Sequence, residues 1–480
     1  MKLRQEIKEG VFFTFVLKYA NMFVQMIGAA VLARILTPNE YGIVAVIMVI
    51  VAFFQLISNF GLGTAIIQKQ NLTEDNIFSL FVFTIIIGVV LAGLFCLLGP
   101  IIANFYHNSD YENISIILSV VLFFHTANIV PYALIMKKKW FKTIGIIYLV
   151  IEIVTTVVAI VTALWGFGYY ALIFKSLFNA VLAFSIDSVT IKLKLYGKLK
   201  FGIVRELFSY SFFQLLYNIL NYFSRSLDTI LVGKYFGNNI LGYYDRAYRL
   251  VFLPVNSLTN IITPVLHPIL SSHQNDRDLI YRVFKESIKF LSMIGIPLSV
   301  FIYFSSREII LIMYGHQWTN SVPIFKILCM GIWIQILLPS IVTIFQALGK
   351  TNYLFIYGLL SSLFIVAAIL TGIFLFNSIQ MIVVFLLIAY IITICVAFYM
   401  LIIKLLSRNL FEVIKLFRTW IYAGIAFIIF NIVFESFTDI QNLIVSLLIK
   451  FVVSGLIFTI ILYKMRDLKY FLNTINPRKH

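Results

Sequence analysis

Apolar residues run along this chain in long blocks separated by short polar segments. A helix needs roughly 20 apolar residues to cross a bilayer, and fourteen blocks reach that length. Six lie at about 11–34, 41–60, 78–104, 113–136, 143–165 and 168–190. Six more lie at about 207–233, 243–270, 283–304, 320–346, 352–376 and 380–403, and two close the chain at about 416–434 and 441–463. The pattern predicts an all-α polytopic membrane protein of about 14 transmembrane helices, arranged as two six-helix lobes plus two C-terminal helices. The expected domains are an N-terminal lobe over 1–190, a basic cytoplasmic linker over 191–206, a C-terminal lobe over 207–404, and two extra helices with a cytoplasmic tail over 405–480.

One block carries a polar stripe. Gln214, Asn218, Asn221, Arg225 and Asp228 are spaced by 4, 3, 4 and 3, which places all five on one helical face. A polar face is costly in lipid, so it is expected to line a cavity or meet a partner helix. Lys18, Asn21 and Gln25 stand at the matching places two hundred residues earlier, opposite Asn218, Asn221 and Arg225. Arg34 and Gly42 likewise match Lys234 and Gly242: a basic residue ends one helix and a glycine eight positions later opens the next. Shared polar face, loop length and glycine point to an internal repeat.

Composition agrees with the membrane reading. The chain is 61% hydrophobic and 12% charged, with mean hydropathy +0.99, against about half apolar and a quarter charged for soluble domains. A net charge of +17 raises nucleic acid as a partner, but the cations sit between spans. With the N-terminus inside, 27 of the 37 Lys and Arg fall on the inside segments, and only Arg34, Lys234 and Arg307 fall outside. This asymmetry predicts cytoplasmic termini and an even number of spans. The charged N-terminus reads as a cytoplasmic leader before a retained helix. Lys192–Arg205 alternates cationic and apolar residues; it reads equally as a segment on anionic membrane lipids or as a solvated linker. Leu405–Phe417 suggests a second surface helix, and the apolar middle of Ser305–Asn320 suggests a loop against the membrane.

Seven cations remain within or beside the spans: Lys18, Lys175, Arg225, Arg246, Arg249, Lys326 and Lys450. Each charge at a helix centre costs about 2.5–3.5 kcal/mol on insertion scales, so pairing, hydration or a ligand must offset it. Arg225 and Asp228 share a face and can pair locally. Arg246 and Arg249 begin the next span, and Asp245 lies beside them. The functional reading is an anion site suited to phosphate, because guanidinium offers a planar fork. The structural reading is an ion-pair network, favoured for Asp228. Lys326 and Lys450 lie where lysines snorkel to headgroups. Glu152 is a lone acid inside a span, open either to proton or cation coupling or to pairing with Lys18 or Lys175.

No catalytic or metal motif emerges. Leu348-Gly-Lys-Thr351 resembles the end of a phosphate loop but lacks its earlier glycine, since position 344 is Ile. The six histidines are scattered, and Cys96, Cys329 and Cys395 read as packing. No loop is long enough for a catalytic domain. The chain therefore reads as a non-enzyme that needs no cofactor beyond possible H+ or Na+ coupling.

Four segments carry a resemblance. They are Phe60-Gly-Leu-Gly-Thr-Ala-Ile-Ile-Gln-Lys69 followed by Leu72-Thr-Glu74; Leu241-Gly-Tyr-Tyr-Asp-Arg-Ala-Tyr-Arg-Leu-Val-Phe-Leu-Pro254; Gly315-His-Gln-Trp318 with Val322-Pro323; and Gln346-Ala-Leu-Gly-Lys-Thr351. In this order they resemble Wzx-type lipid-linked oligosaccharide flippases of the multidrug/oligosaccharidyl-lipid/polysaccharide exporter superfamily, nearest the colanic-acid and teichuronic-acid exporters. The resemblance implies two six-helix lobes about a central cavity, working by alternating access. It also implies an undecaprenyl-diphosphate-linked repeat unit as substrate, a bacterial inner-membrane location, and polymerase and glycosyltransferase partners of the same pathway. On this chain the expected diphosphate and glycan contacts are Lys18, Asn21, Gln25, Lys175, Asn218, Asn221, Arg225, Arg246 and Arg249, with Glu152 and Asp228 as coupling or ion-pair residues. The competing readings are a cation-coupled drug or metabolite exporter of the same superfamily, a membrane polymerase or glycosyltransferase, and a channel or scaffold.

Overall fold

The computed structural model describes the backbone of residues 2–59, 61–69, 71–193, 196–200, 202–271, 273–274, 276–437 and 440–465. Side chains at 2–12, 14–15, 203–218, much of 260–271 and a few single positions lie outside that description. The described elements are helical and fall into two compact units, Met1–Gly242 and Tyr243–His480.

The first unit contains α1 (Lys2–Ile35), α2 (Pro38–Asn59), α3 (Leu62–Gln68), α4 (Glu74–Tyr106), α5 (Asp110–Ala127), α6 (Ile129–Lys137), α7 (Phe141–Leu164) and α8 (Tyr170–Ile191). It also takes in the first part of α9 (Gly202–Ser271), which breaks at Gly237, where φ is 80° and ψ 169°. The chain turns sharply into α2 through a reciprocal cap. The Thr37 backbone N–H and hydroxyl both donate to Glu40 Oε2, at 2.6 and 2.8 Å, and Pro38 occupies the first helical position. Thr73 and Asp75 begin α4 in a similar way, with the Thr73 hydroxyl accepting from Asn76 N–H.

The second unit holds the rest of α9, then α10 (Arg277–Phe304), α11 (Ser306–Tyr314), a 3-10 turn at His316–Trp318, α12 (Ser321–Cys329) and α13 (Ile332–Ala347). It ends with α14 (Thr351–Phe374), α15 (Ile379–Phe398) running into a π-helical turn at Tyr399–Leu405, α16 (Leu410–Phe437) and α17 (Leu443–Lys464). Helices α12 and α13 meet at an angle of 49°, and the pair is long and apolar enough to cross a membrane if it is counted as one span.

Among the described residues, 11 helices are long and apolar enough to cross a membrane, or up to 12 with the bent pair counted as one span. They coincide with twelve of the expected spans. The other two, 207–233 and 243–270, fall within α9. The helices present apolar faces outward. On α14, Phe355, Leu359, Leu363, Leu370 and Phe374 are all exposed at helical spacing, a stripe suited to lipid rather than water.

Three expectations about the segments between spans change. Leu405–Phe417 is not a separate surface helix: the π turn ends at Leu405 and α16 begins at Leu410. The apolar middle of Ser305–Asn320 is covered by protein rather than lipid. Ile310, Leu311, Tyr314 and Trp318 are all buried, with Trp318 packed between the rings of Tyr314 and Tyr243. In the basic linker, residues 196–200 have no regular secondary structure and dock on the start of α4. Lys198 N–H donates to Asp75, Lys200 N–H donates to Ser79 Oγ at 2.7 Å, and Lys200 Nζ pairs with Asp75 at 2.9 Å. Asp75 is half-exposed and close to water, so that pair contributes little stability.

The repeat appears in the packing. A Cβ placed on Gly42 would lie 1.8 Å from the carbonyl oxygen of Asn238, and one on Gly242 would lie 1.9 Å from that of Pro38. Pro38 and Gly42 therefore meet Gly242 and Asn238 reciprocally. Tyr111, whose hydroxyl donates to Asn238 Oδ1 at 3.0 Å, and Tyr106, whose hydroxyl donates to Ile230 O at 3.2 Å, add to this contact.

Candidate functional site: ionisable and polar groups within the spans

In the first unit, α7 and α8 place Glu152 and Lys175 side by side. Lys175 Nζ donates to Glu152 Oε1 at 2.7 Å, and Thr156, one turn further along α7, donates to the same oxygen at 3.2 Å. Glu152 is buried and Lys175 is half-buried, so the pair sits where water screens it little. Helix α1 crosses here at Gly28: a Cβ on it would meet the Thr156 methyl at 2.5 Å. Of the two roles open to Glu152, the geometry supplies the pairing with Lys175 rather than with Lys18.

Lys18 stands exposed on α1. One turn further, Asn21 and Gln25 bond to each other, with Gln25 Nε2 donating to Asn21 Oδ1 at 3.1 Å. The side chains of Gln214, Asn218 and Asn221 lie outside the described residues. Arg225 is exposed and enters no ion pair among the described residues. The local pairing expected between Arg225 and Asp228 is therefore not formed. Asp228 is buried, and its Oδ1 accepts from the Thr229 N–H at 2.6 Å and the Thr229 hydroxyl at 3.3 Å.

In the second unit, Asp245 gathers both arginines of its helix. Its Oδ2 accepts from Arg246 Nη2 at 2.6 Å and from Arg249 Nε at 2.9 Å. Arg246 is buried, whereas the Arg249 side chain is 57% exposed. Two guanidinium groups share one carboxylate, with the accessible fork of Arg249 at its edge. Tyr314 lies within reach of this field. Burial pushes its phenol up, the Arg246 and Arg249 guanidinium groups pull it down, and Asp245 pushes it up; the balance is upward, so Tyr314 stays a neutral donor.

A second buried cluster was not expected. Lys450, taken from the sequence as a snorkelling lysine, is 3% exposed. It donates to Glu308 Oε1 at 2.8 Å, to Glu435 Oε1 at 3.1 Å and to the Phe304 carbonyl at 2.8 Å, while Ser446 also donates to Glu308. This knot ties α16 and α17 to α11. Its only trace in the sequence is a lysine about two turns into α17, with acids in the preceding outer segments. Lys326, by contrast, rests over the Tyr303 ring at 4.7 Å.

Three of the segments that carried the resemblance hold turns, and the fourth, Leu241–Pro254, holds Asp245, Arg246 and Arg249. Gly61, Gly315 and Gly349 take positive φ of 76°, 94° and 64° at turns, and Trp318 is fully buried. Among the described residues no group of three or more His, Cys, Asp or Glu is arranged to hold a metal.

A family profile described as polysaccharide biosynthesis protein matches residues 31–323. The chain is 26% identical over 388 residues to the teichuronic acid biosynthesis protein TuaB of Bacillus subtilis (strain 168), covering 77% of this chain and 78% of the relative. It is 23% identical over 397 residues to the lipopolysaccharide biosynthesis protein WzxC of Escherichia coli (strain K12), covering 78% and 76%. Among solved structures, the lipid II flippase MurJ in an inward closed conformation superposes with a TM-score of 0.75 at 17% identity, over 95% of this chain and 99% of that one.

Proposed function

Because the chain belongs to the polysaccharide biosynthesis protein family, we propose that it is the flippase of such a pathway. It moves an undecaprenyl-diphosphate-linked oligosaccharide repeat unit from the cytoplasmic to the outer leaflet, by alternating access, for cell-surface polysaccharide. The observation that carries this reading is the surplus of accessible cations on membrane helices of a transporter fold, led by Arg249 beside the Arg246–Asp245 pair and by Arg225. A lipid diphosphate loses hydration when it leaves the headgroup layer. Guanidinium and ammonium groups offset that loss with charge-assisted hydrogen bonds. Neutral Asn21 and Gln25, beside Lys18, are suited to glycan hydroxyls.

The distribution of basic residues supports a bacterial cytoplasmic membrane location with both termini inside. Segments assigned to the inside gather at one end of each unit. Lys137 donates to the Lys69 carbonyl and Lys200 pairs with Asp75 in the first, while Arg408 pairs with Asp278 and Lys285 with Glu412 in the second. A non-enzymatic role fits, because the longest outer segment is packed onto the protein as α11 and the turn after it.

Deleting the gene tests the reading in cells. Lipid-linked repeat units should accumulate where an impermeant glycan-modifying reagent cannot reach them, and the wild-type gene should restore access. Accumulated repeat units that remain fully accessible from outside would instead place the block after translocation, at polymerisation.

A further inference from the structure

Near the C-terminal end of α8, Asp187 is 0% exposed. Its Oδ2 accepts two hydrogen bonds, from Asn128 Nδ2 at 3.0 Å and from the Tyr148 hydroxyl at 3.2 Å. Its Oδ1 is buried without a hydrogen-bond partner, and so is Oδ1 of Asn128. No ion pair among the described residues includes Asp187. The titratable groups that act on it are phenols, Tyr148 on α7 and Tyr132 on α6, whose rings meet edge to face at 5.8 Å; α5, also packed on α8, brings none to bear. The two buried acids on which the coupling expectation rested both have partners: Glu152 accepts from Lys175 and Thr156, and Asp228 from Thr229.

An ionised carboxylate in this place would be a buried charge without a cation, a state that proteins avoid. It would also leave two acceptors, one on the carboxyl and one on the carboxamide, with no donor for either. A carboxyl and a carboxamide have complementary edges. The amide N–H donates to one carboxyl oxygen, and an acid O–H on the other oxygen donates back to the amide carbonyl. The first of these bonds is the one from Asn128 Nδ2 to Asp187 Oδ2. A single proton on Asp187 Oδ1 supplies the second and satisfies both orphaned oxygens at once. We propose that Asp187 and Asn128 form a buried proton-binding site, occupied in this conformation, whose loading and release from the aqueous phase couple transport to the proton gradient. The coupling half rests on the flippase reading; the occupancy half does not.

The test uses the full-length protein in lipid. Infrared spectra recorded on wild type and on Asp187→Asn should differ by a protonated-carboxyl C=O band that the variant lacks. Asn128→Ala keeps the carboxyl but removes its acceptor, so that band should shift rather than disappear. Asp187→Asn reproduces the hydrogen-bonding pattern of the protonated acid, so it should fold, and its transport rates with and without a pH gradient should become equal. A carboxylate signal at Asp187 in place of the acid band would overturn the site, as would a carboxylate band that responds to added Na+. An Asp187→Asn protein that keeps the wild-type response to the pH gradient would overturn the coupling. If wild type moves no lipid, the infrared result still decides the occupancy, so failure of the flippase reading is separable from failure of the site.

Discussion

Arg225 and Arg249 hold exposed guanidinium groups on α9, and Arg249 retains free donors after bonding to Asp245. A hydrogen bond to a charged group contributes about 1.5–3 kcal/mol. Arg225→Ala and Arg249→Ala are each expected to slow transport about ten-fold or more at unchanged membrane abundance, since a 1.4 kcal/mol change corresponds to a factor of ten. Equal loss of folded protein and of transport would assign these residues to the fold. Lys450 is the opposite case. Replacing it by Met would strand Glu308 in the interior, and breaking a buried pair costs about 3–5 kcal/mol. Lys450→Met should therefore lower the thermal unfolding temperature clearly, whereas an unchanged temperature would mean that the carboxylate is hydrated. At this scale the sequence shows which residues are charged within spans and offers Lys175 as one of two partners for Glu152, but gives no partner for Lys450. Lys450 and Lys175 look alike in a hydropathy profile. Only the fold brings Glu308 from an outer segment to one and Glu152 from the adjacent helix to the other. The surroundings of Asp187 are equally invisible in the sequence, because its hydrogen-bond partners Asn128 and Tyr148 lie 59 and 39 residues away.

Between elements, the closest approach described is that of the two copies of the repeat at Gly42 and Gly242. No side chain can shift to admit a methyl there, because the obstacle is backbone carbonyl on both sides. Gly42→Ala and Gly242→Ala should each reduce the yield of monodisperse protein on size exclusion. Gly93→Ala, at a position with nothing within 4 Å, should leave it unchanged. Wild-type yield from all three would remove this contact as a determinant of the fold. The matching glycines are legible in the sequence, while the carbonyls they lie against, of Asn238 and Pro38, are not, because spacing within a segment does not report what it packs on. The two misread surface segments have a related cause. Apolar periodicity reports that a face is covered without saying whether lipid or protein covers it. For Ser305–Asn320 the cover is protein.

For the whole molecule, composition alone set the class, and the blocks of apolar sequence located the helices. The first part of α9 belongs to the first compact unit, to which the bonds of Tyr106 and Tyr111 also hold it. The topology has a direct check. In a background lacking the three native cysteines, Ser109→Cys should react with an impermeant thiol reagent added outside intact cells, and Lys138→Cys only after permeabilisation. The reverse pattern would invert the orientation drawn from the basic residues.

The central claim is translocation of a lipid diphosphate, and reconstitution tests it most directly. Purified protein would be placed in liposomes with an undecaprenyl-diphosphate oligosaccharide, preferably the host's own, and transfer between leaflets would be followed with and without an ion gradient. The account predicts protein-dependent transfer that weakens with Arg225→Ala and Arg249→Ala. Folded protein that leaves the host's own lipid-linked glycan in its original leaflet would contradict it.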